Sequence, residues 1–215
     1  MKRAISGLYA VTPDVADTPA LIAAVEAALA GGAQCLQYRN KQAPETLRLE
    51  QAGALLALCR KHRIPLIIND RLDLALAADA DGLHLGAEDG SLAAARARLG
   101  PGRILGASCY DRLELALEAE RLGADYVAFG SFFPSSVKPG AVRAPRVLLT
   151  NARRRLTVPV VAIGGITLEN APGLIAAGAD SVAVISALFD ADDVRGAARR
   201  FRALFAGREL AARHT

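Results

Sequence analysis

Apolar and polar residues run along this chain in blocks. Short apolar runs bounded by Gly, Pro, Asp or Asn read as strands covered on both faces, and longer stretches with apolar positions at helical spacing read as helices. The expected strands are Gly7–Thr12, Cys35–Arg39, Pro65–Asp70, Gly82–Leu85, Ile104–Ser108, Tyr126–Gly130, Val158–Gly164 and Ser181–Ser186. Helical patterns lie between them, among them Thr18–Ala30, Glu45–His62, Leu113–Leu122 and Val194–Phe205. Thr18 and Asp111 are the expected N-caps, and Pro19 fits a first helical turn.

The joints between helix and strand repeat. Gly32-Ala33-Gln34, Gly123-Ala124-Asp125 and Gly178-Ala179-Asp180 each follow an alanine- or leucine-rich helix and precede a strand. Glycine there supplies the left-handed C-cap conformation at little steric cost. One strand–helix unit therefore recurs along the chain, and eight such units close into a (β/α)8 TIM barrel. The expectation is a compact single domain over residues 1–215, with short loops. A doubly wound open sheet is the alternative; the count of eight argues against it.

Composition narrows the function classes. Of 215 residues, 52% are hydrophobic and 22% charged, enough for one sizeable core and too few for two comfortable domains. No apolar run reaches the roughly 18 residues a membrane span needs. The N-terminus, MKRAISGLYAVTPD, lacks the apolar core and cleavage site of a signal peptide. Cys35, Cys59 and Cys109 are widely spaced and odd in number, which fits reduced thiols in a cytoplasmic protein. The net charge of +4 comes largely from arginines at 153–155 and from Arg195 onward, expected as a solvated helical face. No aromatics are interleaved with them, so nucleic acid is not an expected partner.

In a barrel of this kind the carboxyl ends of the strands form the active face. That rim collects Thr12, then Gln37, Arg39 and Lys41, then Asn69 and Asp70, then His84, Asp89 and Ser108. The loop SFFPSSVKPG adds Ser135, Ser136 and Lys138, and Gly164-Gly165 with Ile185-Ser186 complete the circle. Asp70 and Asp89 follow adjacent strands, a placement suited to Mg²⁺ shared with substrate phosphates. Asp70 has a second reading as the cap of the helix starting near Asp73. Arg39, Lys41 and Lys138 are cations suited to phosphate oxygens. Gln37, Arg39 and Lys41 also fit a strand edge facing solvent, and His84 fits a hydrogen-bonded core residue as well as a catalyst. The glycines after the seventh strand allow backbone N–H groups to approach a second phosphate.

The segments GLYAVTP, QYRNK, IINDRLDLA, DGLHLGAED, GASCY, GADYVAFGSFFPSSVKPGA, VPVVAIGGI and SVAVISAL, in this order, resemble the thiamine phosphate synthase family from Gly7 to about Leu188. The resemblance implies a transferase that joins 4-amino-2-methyl-5-hydroxymethylpyrimidine diphosphate to a thiazole phosphate, releasing diphosphate with the help of Mg²⁺. It implies Asp70 and Asp89 as metal ligands, and Arg39, Lys41, Asn69 and Lys138 as diphosphate contacts. Gln37 and Ser108 would lie around the pyrimidine and the leaving group. Ser135, Gly165, Ile185 and Ser186 would meet the thiazole phosphate. Arg39, Ser108 and Lys138 are then the residues nearest the chemistry. Ala87, Cys109-Tyr110, Ser131 and Val137 depart from the family's usual residues, without touching a metal ligand or a diphosphate cation. The rivals are a thiazole tautomerase on the same barrel and a non-catalytic phosphate-binding barrel. Barrels often pair through outer helices, which makes a homodimer the assembly to test.

Overall fold

The computed structural model describes residues 5–134 and 142–206. Eight parallel strands close into a barrel in sequence order: β1 (Gly7–Val11), β2 (Cys35–Tyr38), β3 (Leu66–Asn69), β4 (Gly82–Leu85), β5 (Ile104–Tyr110), β6 (Tyr126–Phe129), β7 (Val160–Ile163) and β8 (Ser181–Val184). The helices between them are α1 (Thr18–Gly31), α2 (Glu45–His62), α3 (Leu72–Ala77), α4 (Leu92–Leu99), α5 (Leu113–Arg121), α6 (Val147–Arg155) and α7 (Ala171–Ala177). A single turn, α8 (Ser186–Phe189), and α9 (Val194–Ala203) follow β8. The (β/α)8 expectation holds.

Boundaries differ in instructive ways. Most strands stop a residue or two short of the apolar run, because the last residues turn outward onto the rim. Strand β5 instead runs on to Tyr110, through an irregularity in its pairing with β6 between Ser108 and Tyr110. Both expected N-caps shift by one. Asp17, not Thr18, caps α1 by accepting the Ala20 N–H at 2.9 Å, while the Thr18 hydroxyl donates to Glu50 at 2.8 Å. Arg112, not Asp111, precedes α5 and makes no side-chain cap bond. Pro19 does sit in the first turn of α1.

Strand parity divides the core in two. Leu8, Leu36, Ile68, Leu83, Leu105, Val127, Val160 and Val182 point outward and are buried under the helices. Tyr9, Val11, Cys35, Ile67, Ile104, Tyr126, Ala128, Val161 and Ala183 fill the barrel interior. Gly106 faces that interior in the middle of β5, paired with His84 on one side and Tyr126 on the other. A Cβ there would stand 2.1 Å from the Tyr126 ring, so only glycine lets the phenol lie across β5.

The amino end of the barrel is tied by acids that precede β4, β6 and β8. Asp81, just before β4, accepts the Leu66 N–H of β3 at 2.9 Å. Asp125, before β6, accepts the Leu105 N–H of β5 at 2.8 Å, and Asp180, before β8, accepts the Val160 N–H of β7 at 2.9 Å. Each carboxylate satisfies an amide at the start of the preceding strand, the first of β3 and β7 and the second of β5. Gly32, Gly123 and Gly178 take the left-handed conformation expected of them.

Among the described residues no helix is long and apolar enough to cross a membrane. The arginines of α6 and α9 within that range lie on exposed faces, and the three cysteines are buried, unpaired thiols.

Candidate active site

The acidic corner forms where β3 and β4 end. Asp70 follows β3 in the left-handed region, at φ +62°, and its N–H donates to the His84 carbonyl at 2.8 Å. Aspartate tolerates this conformation better than most residues. Helix α3 begins two residues later with Arg71 as its N-cap and no side-chain cap bond, so the capping reading of Asp70 fails. Its carboxylate instead meets Lys41 Nζ at 3.2 Å. Asp89 comes round from the β4–α4 loop, where one oxygen accepts the Gly86 N–H at 2.7 Å. Partial desolvation, then the Asp70 carboxyl within hydrogen-bonding reach, push Asp89 above the usual carboxylate range; the Gly86 bond and Lys41 act the other way. Two acids that repel each other beside one half-exposed lysine gain little stability, since an exposed ion pair contributes about 0–1 kcal/mol. The arrangement is short of positive charge.

The β2 arm is built to hold its cations still. Thr12 is fully buried; its hydroxyl accepts the Arg39 N–H and donates to the Arg39 carbonyl, both at 2.8 Å. Asp14 receives Arg39 Nη1 at 3.1 Å and the Lys41 N–H at 2.8 Å, fixing guanidinium and turn with one carboxylate. Beneath them, buried Asn40 and Gln51 tie this loop to Val15 and Tyr38, and Arg48 donates to the Asn40 and Lys41 carbonyls. Sequence reasoning singled out Arg39 and Lys41 but missed Asp14, Asn40 and Gln51. The signal for Asn40 was a polar residue between two cations in a strand-to-helix loop; Asp14 and Gln51 gave none. Asn69 ends β3, and with Asn40, Lys41, Arg48, Asp70 and Arg71 it lines a cleft on this side of the rim.

Gln37 and Ser108 face each other across the barrel interior, linked by buried groups. Gln37 Nε2 donates to the Tyr9 hydroxyl at 2.9 Å, which lies 2.8 Å from that of Tyr126. His84 bonds Tyr126 through Nδ1 and Ser108 through Nε2, each at 2.9 Å, and stacks on the Tyr126 ring. His84 is thus a hydrogen-bonded interior residue. The solvent-edge reading of Gln37 also fails: its side chain is buried.

The far side of the rim uses backbone. Gly164 and Gly165 have φ of +100° and +61°, and a Cβ on Gly165 would stand 2.2 Å from the Pro134 carbonyl oxygen. Asn170 donates to the Gly165 carbonyl at 3.0 Å and accepts the Thr167 N–H, setting the turn. Ile185 precedes the single-turn helix α8, which begins at Ser186; the strand expected through Ser186 stops at Val184 instead. A short extra helix after the eighth strand is a frequent phosphate-binding element of such barrels. Ser135, Ser136, Val137 and Lys138 lie outside the described residues. Of the other departures, two meet: the Tyr110 hydroxyl accepts the Ala87 N–H at 3.4 Å. Ser131 turns the β6–α6 loop by donating to the Phe133 carbonyl at 2.7 Å.

The donor set around Asp70 and Asp89 is oxygen only. Among the described residues no third His, Cys, Asp or Glu joins them as a metal-binding group. Two carboxylates, with the remaining positions left to water and phosphate oxygens, fit Mg²⁺ and do not fit a zinc site.

Comparison with known proteins agrees with the geometry. Residues 8–188 match the family described as thiamine monophosphate synthase. The thiamine-phosphate synthase of Methylobacillus flagellatus is 61% identical over 201 residues, covering 94% of this chain and 96% of that protein. That of Aromatoleum aromaticum is 56% identical over 201 residues, with 94% and 97% covered. Among solved structures, a thiamine phosphate pyrophosphorylase from Pyrococcus furiosus superposes with a TM-score of 0.82 at 39% identity, covering 92% of this chain and 94% of that one.

Proposed function

This chain belongs to the thiamine monophosphate synthase family, and we propose that its rim carries that synthesis through Mg²⁺ held by Asp70 and Asp89. The activity is thiamine phosphate synthesis, a transferase reaction. The substrates are the pyrimidine diphosphate and the thiazole phosphate. The observation that carries the metal assignment is the corner itself: two facing carboxylates, one of them with a raised pKa, and Lys41 against them.

In this reading the carbon–oxygen bond to diphosphate breaks and a carbon–nitrogen bond to the thiazole forms. The protein supplies no nucleophile. Bound Mg²⁺ would supply positive charge to the departing diphosphate. Arg39, steadied by Asp14, offers a planar fork to phosphate oxygens, and Lys41 a point charge. Asn69 and, from the segment outside the described residues, Lys138 complete the diphosphate contacts. Gln37 and Ser108 hold the pyrimidine from opposite sides. Gly165, Ile185 and Ser186 receive the thiazole phosphate with backbone N–H groups, and Ser135 adds a hydroxyl. Charges fixed before the reaction stabilise the leaving group without reorganising during it.

A tautomerase working only on the thiazole phosphate has no use for the acidic corner or for Arg39. The three buried, unpaired thiols support a cytoplasmic setting. The test is to mix the protein with both substrates, with and without Mg²⁺. Thiamine phosphate and diphosphate should appear in equal amounts and only with the metal. Equal turnover without it would remove the metal role, and product without diphosphate release would overturn the synthase reading.

A further inference from the structure

The hydrogen-bonded chain through the barrel interior has a property that no single bond in it shows. It runs Gln37, Tyr9, Tyr126, His84, Ser108, drawn from β2, β1, β6, β4 and β5, with every link between 2.8 and 2.9 Å. A phenol has one proton to donate, and a neutral imidazole donates from one nitrogen while accepting at the other. The links therefore share one direction. With Gln37 Nε2 assigned toward Tyr9, Tyr9 donates to Tyr126 and Tyr126 donates to His84 Nδ1. His84 then carries its proton on Nε2 and donates to Ser108, whose own proton is left for the site. If the amide of Gln37 were turned, all links would reverse together. A mixed order would leave a buried group unmatched, an outcome buried polar groups avoid. The Cys35 thiol also lies within reach of Tyr9, but sulfur is too weak a partner to absorb such a fault.

We propose that Tyr9, Tyr126 and His84 are positioning residues that lock the two ends of this chain into opposite polarity, so that Gln37 presents an acceptor to the substrate whenever Ser108 presents a donor. The feature that makes the chain possible is Gly106, whose missing side chain lets the Tyr126 ring reach His84 across β5. Burial raises both phenols well above their ordinary pKa, so they remain neutral hydrogen-bond relays. Resting on the assignment of the pyrimidine to Gln37 and Ser108, the device selects a ring that offers an amino donor to one side and an acceptor to the other. A pyrimidine with an oxo group in place of the amine meets acceptor with acceptor, and the ends cannot adjust independently.

The experiment reads the His84 tautomer directly, by long-range ¹H–¹⁵N correlation on histidine-labelled protein at pH 8, with His84→Gln identifying the signal. Wild type should show the proton on Nε2. Gln37→Glu presents only an acceptor to Tyr9 and should move the proton to Nδ1, although His84 does not touch residue 37. A wild-type proton on Nδ1 overturns the direction assigned to the chain and with it the selection of an amino pyrimidine, and a tautomer unmoved by Gln37→Glu overturns the lock itself. Tyr9→Phe alone should raise KM for the pyrimidine diphosphate about 5- to 30-fold and leave KM for the thiazole phosphate within about twofold. If the tautomer follows residue 37 while the pyrimidine KM stays put, the chain stands and the placement of the pyrimidine at its ends falls.

Discussion

At the amino end of the barrel, Asp81, Asp125 and Asp180 each accept an N–H from the start of the preceding strand; at the carboxyl end, Asp70 and Asp89 face each other with Lys41 beside them. The first group is satisfied by the fold: Asp125 is also held by Arg96, and Asp180 by Arg153. The second group is left in want of positive charge, and Asp89 is pushed above the usual carboxylate range by desolvation first and by the Asp70 carboxyl second. The same side chain thus ties strands together at one end and, in the function we propose, holds a metal at the other. An acid whose hydrogen bonds are met by neighbouring backbone is structural. An acid set against another acid at the rim marks function.

The sharpest break of this contrast is Asp70→Asn or Asp89→Asn. Either should lower kcat/KM by at least about 100-fold at limiting Mg²⁺, more than is usual for a group one step removed from the metal. Neither should lower the melting temperature, because each relieves repulsion; a fall of several degrees would place these acids with the structural set.

Arg39→Ala comes next. Losing a hydrogen bond to a charged group costs about 1.5–3 kcal/mol, or roughly 10- to 150-fold if it acts in the transition state. The loss should appear in kcat with the pyrimidine substrate, and a change confined to the thiazole phosphate KM would move Arg39 to the other subsite.

At the amino end, Asp125→Ala should do the reverse. It leaves the Leu105 N–H and part of Arg96 unmatched, a cost of about 1–3 kcal/mol, which for a chain of this size lowers the melting temperature by about 3–10 °C. Turnover at 25 °C should stay within about twofold. Thermal scans beside initial rates would decide it, and lost activity at full stability would collapse the distinction between the ends.

Asp14→Ala gives the smallest effect and the finest test. It frees the Arg39 guanidinium without removing it, so KM for the pyrimidine diphosphate should rise roughly threefold to tenfold, about one ordinary hydrogen bond's worth. If Asp14→Ala matched Arg39→Ala, the carboxylate would itself be touching substrate.

The sequence alone determined the repeating strand–helix unit. Period, apolar runs and the glycine joints are local properties, and eight units of parallel strand have one compact closure. It also marked which residue types crowd the strand ends, and so singled out Asp70, Asp89, Arg39, Lys41, Gln37 and Ser108 as candidates. Tertiary structure decided what those residues touch. Gly-Ala-Asp at 123–125 and 178–180 was legible as a helix stop, but not that its acid reaches back to the neighbouring strand, because that contact depends on register between strands about 20 residues apart. Asp70 could have been a cap until the chain placed it at positive φ and started α3 from Arg71. Asp14 and Gln51 carry no local signature, and their roles arise when β1 and β2 lie side by side. Tyr9 and Tyr126, 117 residues apart, read as strand aromatics until barrel closure brings their hydroxyls to 2.8 Å. Hydrophobic pattern is written in neighbours along the chain; hydrogen-bond partnership inside a closed barrel is written across it, and only folding brings the two ends of each bond together.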